Sequence, residues 1–366
     1  MKSAAYFTAL AIASATASPA APAPLLGDAH LTFEEFGARH FRSYTPEELP
    51  RRRAQFALTK ASVLERNAAY AAGKSTWFAA INDFADRTAD ELRKVKGGMP
   101  PPPSATGGAG ITVAALAATA SKKNPPSKSW MAYQSPVKNQ GGCGSCWAFA
   151  TTEVVESHLA IAQNSTTVPV LAPQTLVSCM KNPNKCGGTG GCEGAIAELG
   201  FNFTQTHGLA TESSFPYTAQ DTQCLKYTPI AHCKGYVKNK ENSADALETA
   251  LATIGPVAVT VSANWATYGG GIFSDGCSND PPTSCTLDHA VVAVGYTQDY
   301  WLIRNSWGGA WGEQGYIRLT RKYDTTKFTD SNPTEGDACA PYPEKQFPMG
   351  ESGVLYDTAY PVGMSQ

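Results

Sequence analysis

All ten cysteines of this 366-residue chain lie at or beyond position 143, and none precedes it. The opening, MKSAAYFTALAIASATASPA, has Lys2, a short apolar run and Ala15 and Ala17 in an A-x-A arrangement, the pattern of a secretory signal over residues 1–17. A protein on that oxidising route staples the part it keeps. The cysteine-bearing part therefore reads as a disulfide-framed domain, and the cysteine-free part before it as a segment that can be discarded.

The texture along the chain divides it further. Residues 18–96, above all from about 31 to 95, are charged and helical in pattern with few glycines; 97–128 is a Pro-, Gly-, Ala- and Ser-rich connector, open to proteolytic nicking or serving as an ordinary linker. In 129–366 the spacing predicts a helix from Ser145 to about Gln163, then short strands in AVVAVGY (290–296), YWLIRN (300–305) and GYIRLT (315–320). A helical half followed by a β-rich half is an α+β arrangement with a natural cleft between the halves. A net charge of −2, with 16% charged residues, offers no basic stripe for nucleic acid or a membrane surface. Sequons at Asn164 and Asn202 fit a secreted glycoprotein.

The stretch QGGCGSCWAFA poses a choice for Cys143 and Cys146: half a zinc site, a redox dithiol, or two thiols with unrelated tasks. No second close pair of Cys or His ligands favours zinc, with CGGTGGC the nearest candidate, and no strand context upstream favours a redox module. A nucleophile beside a structural cysteine remains. Cys146 stands at the start of the predicted helix, where free amides favour its thiolate. His289, opening a strand-like run, can accept its proton; Asn305 can orient the imidazole, and Trp307 can shield the pair.

The run Cys143-Gly144-Ser145-Cys146-Trp147 matches C-G-[SA]-C-[WY], and with His289 and Asn305 following in that order the chain resembles the papain-like cysteine peptidases, cathepsin L-like in type. The resemblance implies a two-lobed fold, a helical lobe and a β-barrel-like lobe, preceded by a helical inhibitory pro-domain. It implies Cys146 as nucleophile, His289 as its partner, Asn305 as the orienting group and Gln140 as an oxyanion donor, with a thiolate–imidazolium resting state and a thioester intermediate. Gly194, Ala195, Asp288, Trp307 and Asp357 fall at substrate-binding positions; Ala195 stands where the family has a glycine, and Asp357 at a pocket base suggests acceptance of Arg or Lys. Disulfides are implied for Cys143 with Cys192 and Cys179 with Cys224, and a third is expected between Cys186 and Cys233. No cofactor or metal is implied. The partners are peptide and protein substrates and the chain's own pro-domain, in a monomer of the lysosome, vacuole or extracellular space.

The pro-domain likeness rests on Glu48, Arg52, Phe56, Val63 and Asn67, which share one helical face, and on Asn82, Phe84 and Asp86 in AINDFAD. Thr59, Val63 and Ala80 depart from the family pattern, which has Asn, Ile and Gly there. Acid is expected to assist activation by weakening pairs such as Glu48 with Arg52. Near the C-terminus Ser352 replaces the family's last cysteine, so Cys277 must pair with Cys285 or Cys339, and at least one thiol stays unpaired. No occluding device that would add exopeptidase activity is evident. A catalytically silent binding protein is the alternative function.

Overall fold

The computed structural model describes residues 29–97, 124–277 and 285–366. The expected signal at 1–17, residues 98–123 of the connector and residues 278–284 lie outside the described residues.

The N-terminal segment begins with α1 (Phe33–Arg39), started by a reciprocal capping box between Thr32 and Glu35. The 23-residue α2 (Leu49–Ala71) buries Phe56, Val63 and Asn67 of the expected face. The Asn67 amide donates to the Ala79 carbonyl at 3.0 Å and accepts the Ala79 N–H at 2.8 Å, clamping β1 (Trp77–Ala79) to the helix. A second capping box, Thr88 with Glu91, starts α3 (Ala89–Lys94). Arg52 forks onto Glu91 with two bonds of 2.6 Å, whereas Glu48 stands 3.8 Å away. Glu91, on another helix, is thus the principal partner of Arg52, a relationship that helical spacing within α2 does not reveal.

After β2 (Lys128–Ser129) come α4 (Cys146–Ala162), α5 (Pro173–Cys179) and α6 (Ala197–His207), which build the helical lobe. The β-rich lobe follows with β3 (Gly235–Lys238), α7 (Ala244–Thr253), β4 (Val257–Val261), β5 (Tyr268–Phe273), β6 (His289–Tyr296), β7 (Tyr300–Arg304), β8 (Tyr316–Thr320) and β9 (Thr358–Val362). The sheet is open and runs β1-β5-β8-β7-β6-β4-β9-β3, with β2 paired to β6. Its first strand comes from the N-terminal segment: β1 lies antiparallel to β5, Trp77 opposite Gly271. Gly271 has φ +95°, and a Cβ there would fall 2.4 Å from the Thr76 carbonyl, so only glycine lets β1 approach this edge.

Two apolar clusters hold the molecule. One joins Phe56, Trp77 and Phe84 of the N-terminal segment to Tyr268, Phe273, Trp307 and Trp311, so the segment shares the β-lobe's core. The other packs Trp147, Val154 and Leu159 of α4 against Leu176, Phe201 and Val292.

Disulfides join Cys143 to Cys192, Cys179 to Cys224, Cys186 to Cys339 and Cys277 to Cys285. The expected Cys186–Cys233 bridge is therefore corrected: Cys233 is a buried free thiol whose Sγ meets the Phe201 carbonyl at 3.4 Å. The cause is the long segment between β8 and β9, which crosses from the β-lobe and delivers Cys339 to Cys186. This strap rests on both sides. The Cys285 N–H donates to the Thr329 carbonyl at 2.8 Å; at the other end the Gly187 N–H donates to Ala338 and the Ala340 N–H to Asn184, each at 2.9 Å.

Candidate active site

Four chain segments converge on the cleft. Cys146 is the first residue of α4, so the amides of that turn are not used within the helix. His289 opens β6, Asn305 follows β7, and Gln140 lies just ahead of the Cys143–Cys192 bridge. All four are buried.

His289 Nε2 lies 2.8 Å from Asn305 Oδ1. That oxygen also accepts the Ser306 N–H at 2.8 Å, which assigns the proton of this contact to Nε2 and leaves Nδ1 as the basic nitrogen. Trp307 stacks on the imidazole with centroids 4.9 Å apart, and Phe84 of AINDFAD packs edge-on against Trp307. Gln140 is fixed by Ser306, whose hydroxyl donates to Oε1 at 2.6 Å, so its amide nitrogen faces the cleft side. Ser306 and Arg304 were not singled out from the sequence, though both lie beside Asn305.

The N-terminal segment fills this site. Gln140 Nε2 donates to the Val95 carbonyl at 2.8 Å, and the Cys146 thiol donates to the next carbonyl, Lys96, at 3.2 Å. The Lys96 ammonium meets Asp288 at 3.1 Å. Gly97 then passes over Gly144 and Gly194, where a Cβ on Gly194 would fall 2.5 Å from the Gly97 oxygen. What remains is a cavity of ≈ 10 Å³ lined by Cys146, His289, Ala195, Thr260 and Glu335, room for about one water.

Sealing the site changes its electrostatics. Burial pushes the Cys146 thiol up to about 12, against the amides of Ala290 and Trp147, which pull it down. Burial likewise pushes His289 down to about 4, although Asn305 and Asp288 favour its cation. Covered by the segment, both groups are pushed by burial towards their neutral forms, against the ion pair that the resemblance implies for the open enzyme.

Asp357 stands behind Thr260, whose hydroxyl donates to it at 2.8 Å, and Lys238 meets its other oxygen at 2.7 Å. The same lysine meets Glu198 at 2.8 Å. The carboxylate expected to accept Arg or Lys is thus already compensated by a lysine that sequence spacing did not bring near.

Residues 124–334 match the papain family cysteine protease, and residues 33–92 the cathepsin propeptide inhibitor domain. The chain belongs to the papain family of cysteine proteases. It is 37% identical over 303 residues to a cathepsin L-like proteinase of Phaedon cochleariae, covering 80% of this chain and 88% of that one. It is 34% identical to digestive cysteine proteinase 1 of Homarus americanus, covering 81% and 91%. Among solved structures, digestive procathepsin L 3 from the larval midgut of Tenebrio molitor superposes with a TM-score of 0.71 at 28% identity, over 90% of this chain and 97% of that chain. This papain-family chain is a cysteine endopeptidase made with its own inhibitor segment, and the filled cleft is that of a zymogen.

Proposed function

We propose that this zymogen, once its propeptide is removed, cleaves peptide bonds through Cys146 and His289. Withdrawal of Val95, Lys96 and Gly97 lets water and substrate reach the pair, and the proton moves from Sγ to Nδ1, stabilised by the α4 amides and by Asn305. The thiolate attacks the carbonyl carbon, and the developing oxyanion takes the place of the Val95 carbonyl at Gln140 Nε2, with the Cys146 N–H as its second donor. One such donor is worth about 3–4 kcal/mol of barrier. His289 then protonates the leaving amine as the C–N bond breaks, giving a thioester. Water, deprotonated by His289, attacks the thioester; the acid leaves and the thiol is restored.

Gly194 and Ala195 bind substrate backbone in this reading, Asp288 and Trp307 flank the leaving side, and Thr260 with Asp357 behind it forms a pocket base. Maturation cuts fall in the 97–128 connector, leaving 129–366 as the enzyme in a lysosomal, vacuolar or extracellular compartment.

The observation that carries the proposal is that consecutive propeptide carbonyls, Val95 and Lys96, occupy the Gln140 amide and the Cys146 thiol. Treating the matured protein with a peptidyl thiol alkylator and mapping the adduct tests it. Label on Cys146 alone, tracking loss of hydrolysis, is expected. No label would favour a silent binding protein, and label on Cys143 as well a redox module.

A further inference from the structure

Lys96 of the propeptide does more than present its carbonyl to Cys146. Its ammonium is seated between two groups of the β-lobe, Asp288 Oδ2 at 3.1 Å and Asn264 Oδ1 at 3.4 Å. Both seats are fixed from behind. The Ala263 N–H donates to Asp288 Oδ1 at 2.9 Å, which leaves Oδ2 to the cation, and the Asn264 amide nitrogen donates to the Gly276 carbonyl at 3.2 Å, which presents its oxygen. The Lys96 and Asp288 side chains are 12% and 14% exposed, so the pair is largely shielded from water. Among the described residues Lys96 is the cation that meets Asp288, and it leaves with the propeptide.

Strand register shows which side of the cut this seat serves. β4 and β6 pair antiparallel with Thr260 opposite Ala290 and Val261 opposite His289. The next contacts along the same ladder run from the Asp288 N–H to the Val261 carbonyl at 2.9 Å and from the Ala263 N–H to the Asp288 carboxylate. His289 therefore separates the seat from Thr260 and Asp357, which the catalytic reading places before the cleaved bond. Trp265, next to Asn264, and Trp307 both pack on the imidazole, with centroids 6.4 and 4.9 Å away. The path of the propeptide agrees, since Phe84 precedes Lys96 and packs on Trp307, whereas Gly97 follows it and passes over Gly194. The seat lies on the side of the leaving amine.

We propose that the matured enzyme favours Lys or Arg as the residue that follows the cleaved bond, with the side-chain cation held by Asp288 and Asn264 in place of Lys96. This rests on the catalytic reading of Cys146 above and deepens it. The preference resides in one side chain and sets no limit on the length of substrate on either side.

The test uses internally quenched peptides of one sequence that differ only at the residue after the cut, Lys, Arg, Leu or Glu, with the matured enzyme and with mass spectrometry to fix the bond cleaved. The Lys and Arg peptides should exceed the Leu peptide in kcat/KM by about 5- to 30-fold, between the effect of an exposed ion pair and that of a buried charged hydrogen bond, and the Glu peptide should be the poorest. The excess should shrink as salt rises. Because a ratio cancels any change that a lost charge beside His289 imposes on all four peptides, Asp288→Asn should bring Lys to Leu close to unity. Asn264→Asp should raise that ratio and Asn264→Lys should lower it, whereas a merely structural role would move both variants together. Equal cleavage of the four peptides by the wild-type enzyme overturns the proposal. So does a Lys preference that survives Asp288→Asn and is indifferent to charge at position 264. The peptidyl alkylator reports the catalytic reading separately: an adduct on Cys146 with indiscriminate cleavage refutes this seat alone, whereas hydrolysis that persists in Cys146→Ala refutes the reading beneath it.

Discussion

The Cys146 thiol donates its proton to the main-chain carbonyl of Lys96 at 3.2 Å, and the same carbonyl lies close enough to His289 to favour its cation. The propeptide thus holds the thiol by a direct bond, while the Nδ1 of His289 is left buried without a hydrogen-bond partner. Because burial raises the thiol to about 12 and lowers the imidazole to about 4, the proenzyme should favour the neutral form of each at neutral pH. Alkylation of Cys146 in the proenzyme, followed by peptide mapping to separate it from Cys233, should accelerate with pH up to strongly alkaline conditions. In the matured enzyme the same rate should level off well below neutrality. A proenzyme profile that levels off below about pH 8, near an ordinary thiol's range, would contradict this account.

Gly97 makes a second, steric prediction. Its φ of +92° is one that residues with a Cβ avoid, and a Cβ there would come within 3.3 Å of Cys146 Sγ. Gly97→Ala should weaken the seat of the propeptide by about 1–2 kcal/mol, or 5- to 30-fold in the fraction of open cleft. Hydrolysis by unprocessed proenzyme at neutral pH measures it, and unchanged leakage would show that the segment is held elsewhere.

Acid activation should not pass through Arg52. Burial pushes Glu91 up, but the Arg52 fork and the Thr88 amide outweigh it and hold the carboxyl down at about 2. A depressed carboxyl contributes stability that is present above its unfolded value of about 4.3 and lost only as pH falls towards 2. The pair therefore persists through the mildly acidic range. Glu48→Gln should leave the pH profile of maturation in place. Glu91→Gln should speed maturation at every pH above about 4 without moving that profile's midpoint.

These contacts also show what was legible beforehand. The helix at Ser145–Gln163, the strand of His289 and the face carrying Phe56, Val63 and Asn67 follow from local periodicity, and the structure has α4, β6 and α2 there. Glu91 as the partner of Arg52, Lys238 as the partner of Asp357 and Cys339 as the partner of Cys186 are tertiary pairings, set by how elements stack and not by any spacing along the chain. The strap was least readable, because a segment without regular periodicity announces neither its path nor its wedge between the lobes. Ser306 could have been found, lying between Asn305 and Trp307 with a hydroxyl to fix Gln140.

If Asp357 forms the pocket base proposed above, its pairing with Lys238 should govern how the pocket treats basic side chains. With the ammonium 2.7 Å from Asp357, a substrate Arg gains little from that carboxylate. Lys238→Met should raise cleavage of Arg-Arg relative to Phe-Arg peptides by about 10-fold, and Asp357→Ala alone should leave the ratio near its wild-type value. A fall in Arg-Arg cleavage in Asp357→Ala would mean that the carboxylate reaches substrate despite its lysine.

Arg304 ties the two lobes where the chemistry needs them fixed. It ends β7 immediately before Asn305, is fully buried, and donates to Glu153 of α4 at 3.0 Å and to the Ser135 and Pro136 carbonyls at 2.9 Å. The helix bearing Cys146 and the strand leading to Asn305 are thereby held by one guanidinium. Arg304→Met should cost about 3–5 kcal/mol in chemical denaturation, because Glu153 is left buried without its cation. Burial already raises the Glu153 carboxyl, against the pull of Arg304 and Lys138, and loss of Arg304 raises it further. The folded variant then binds a proton that the unfolded chain releases, so its stability should rise as pH falls through the new value towards the unfolded one. The deficit relative to wild type should be smaller at pH 5 than at pH 7, and Glu153→Leu added to Arg304→Met should recover most of it at both. A deficit independent of pH and untouched by the second substitution would show that Arg304 acts through packing and not through Glu153.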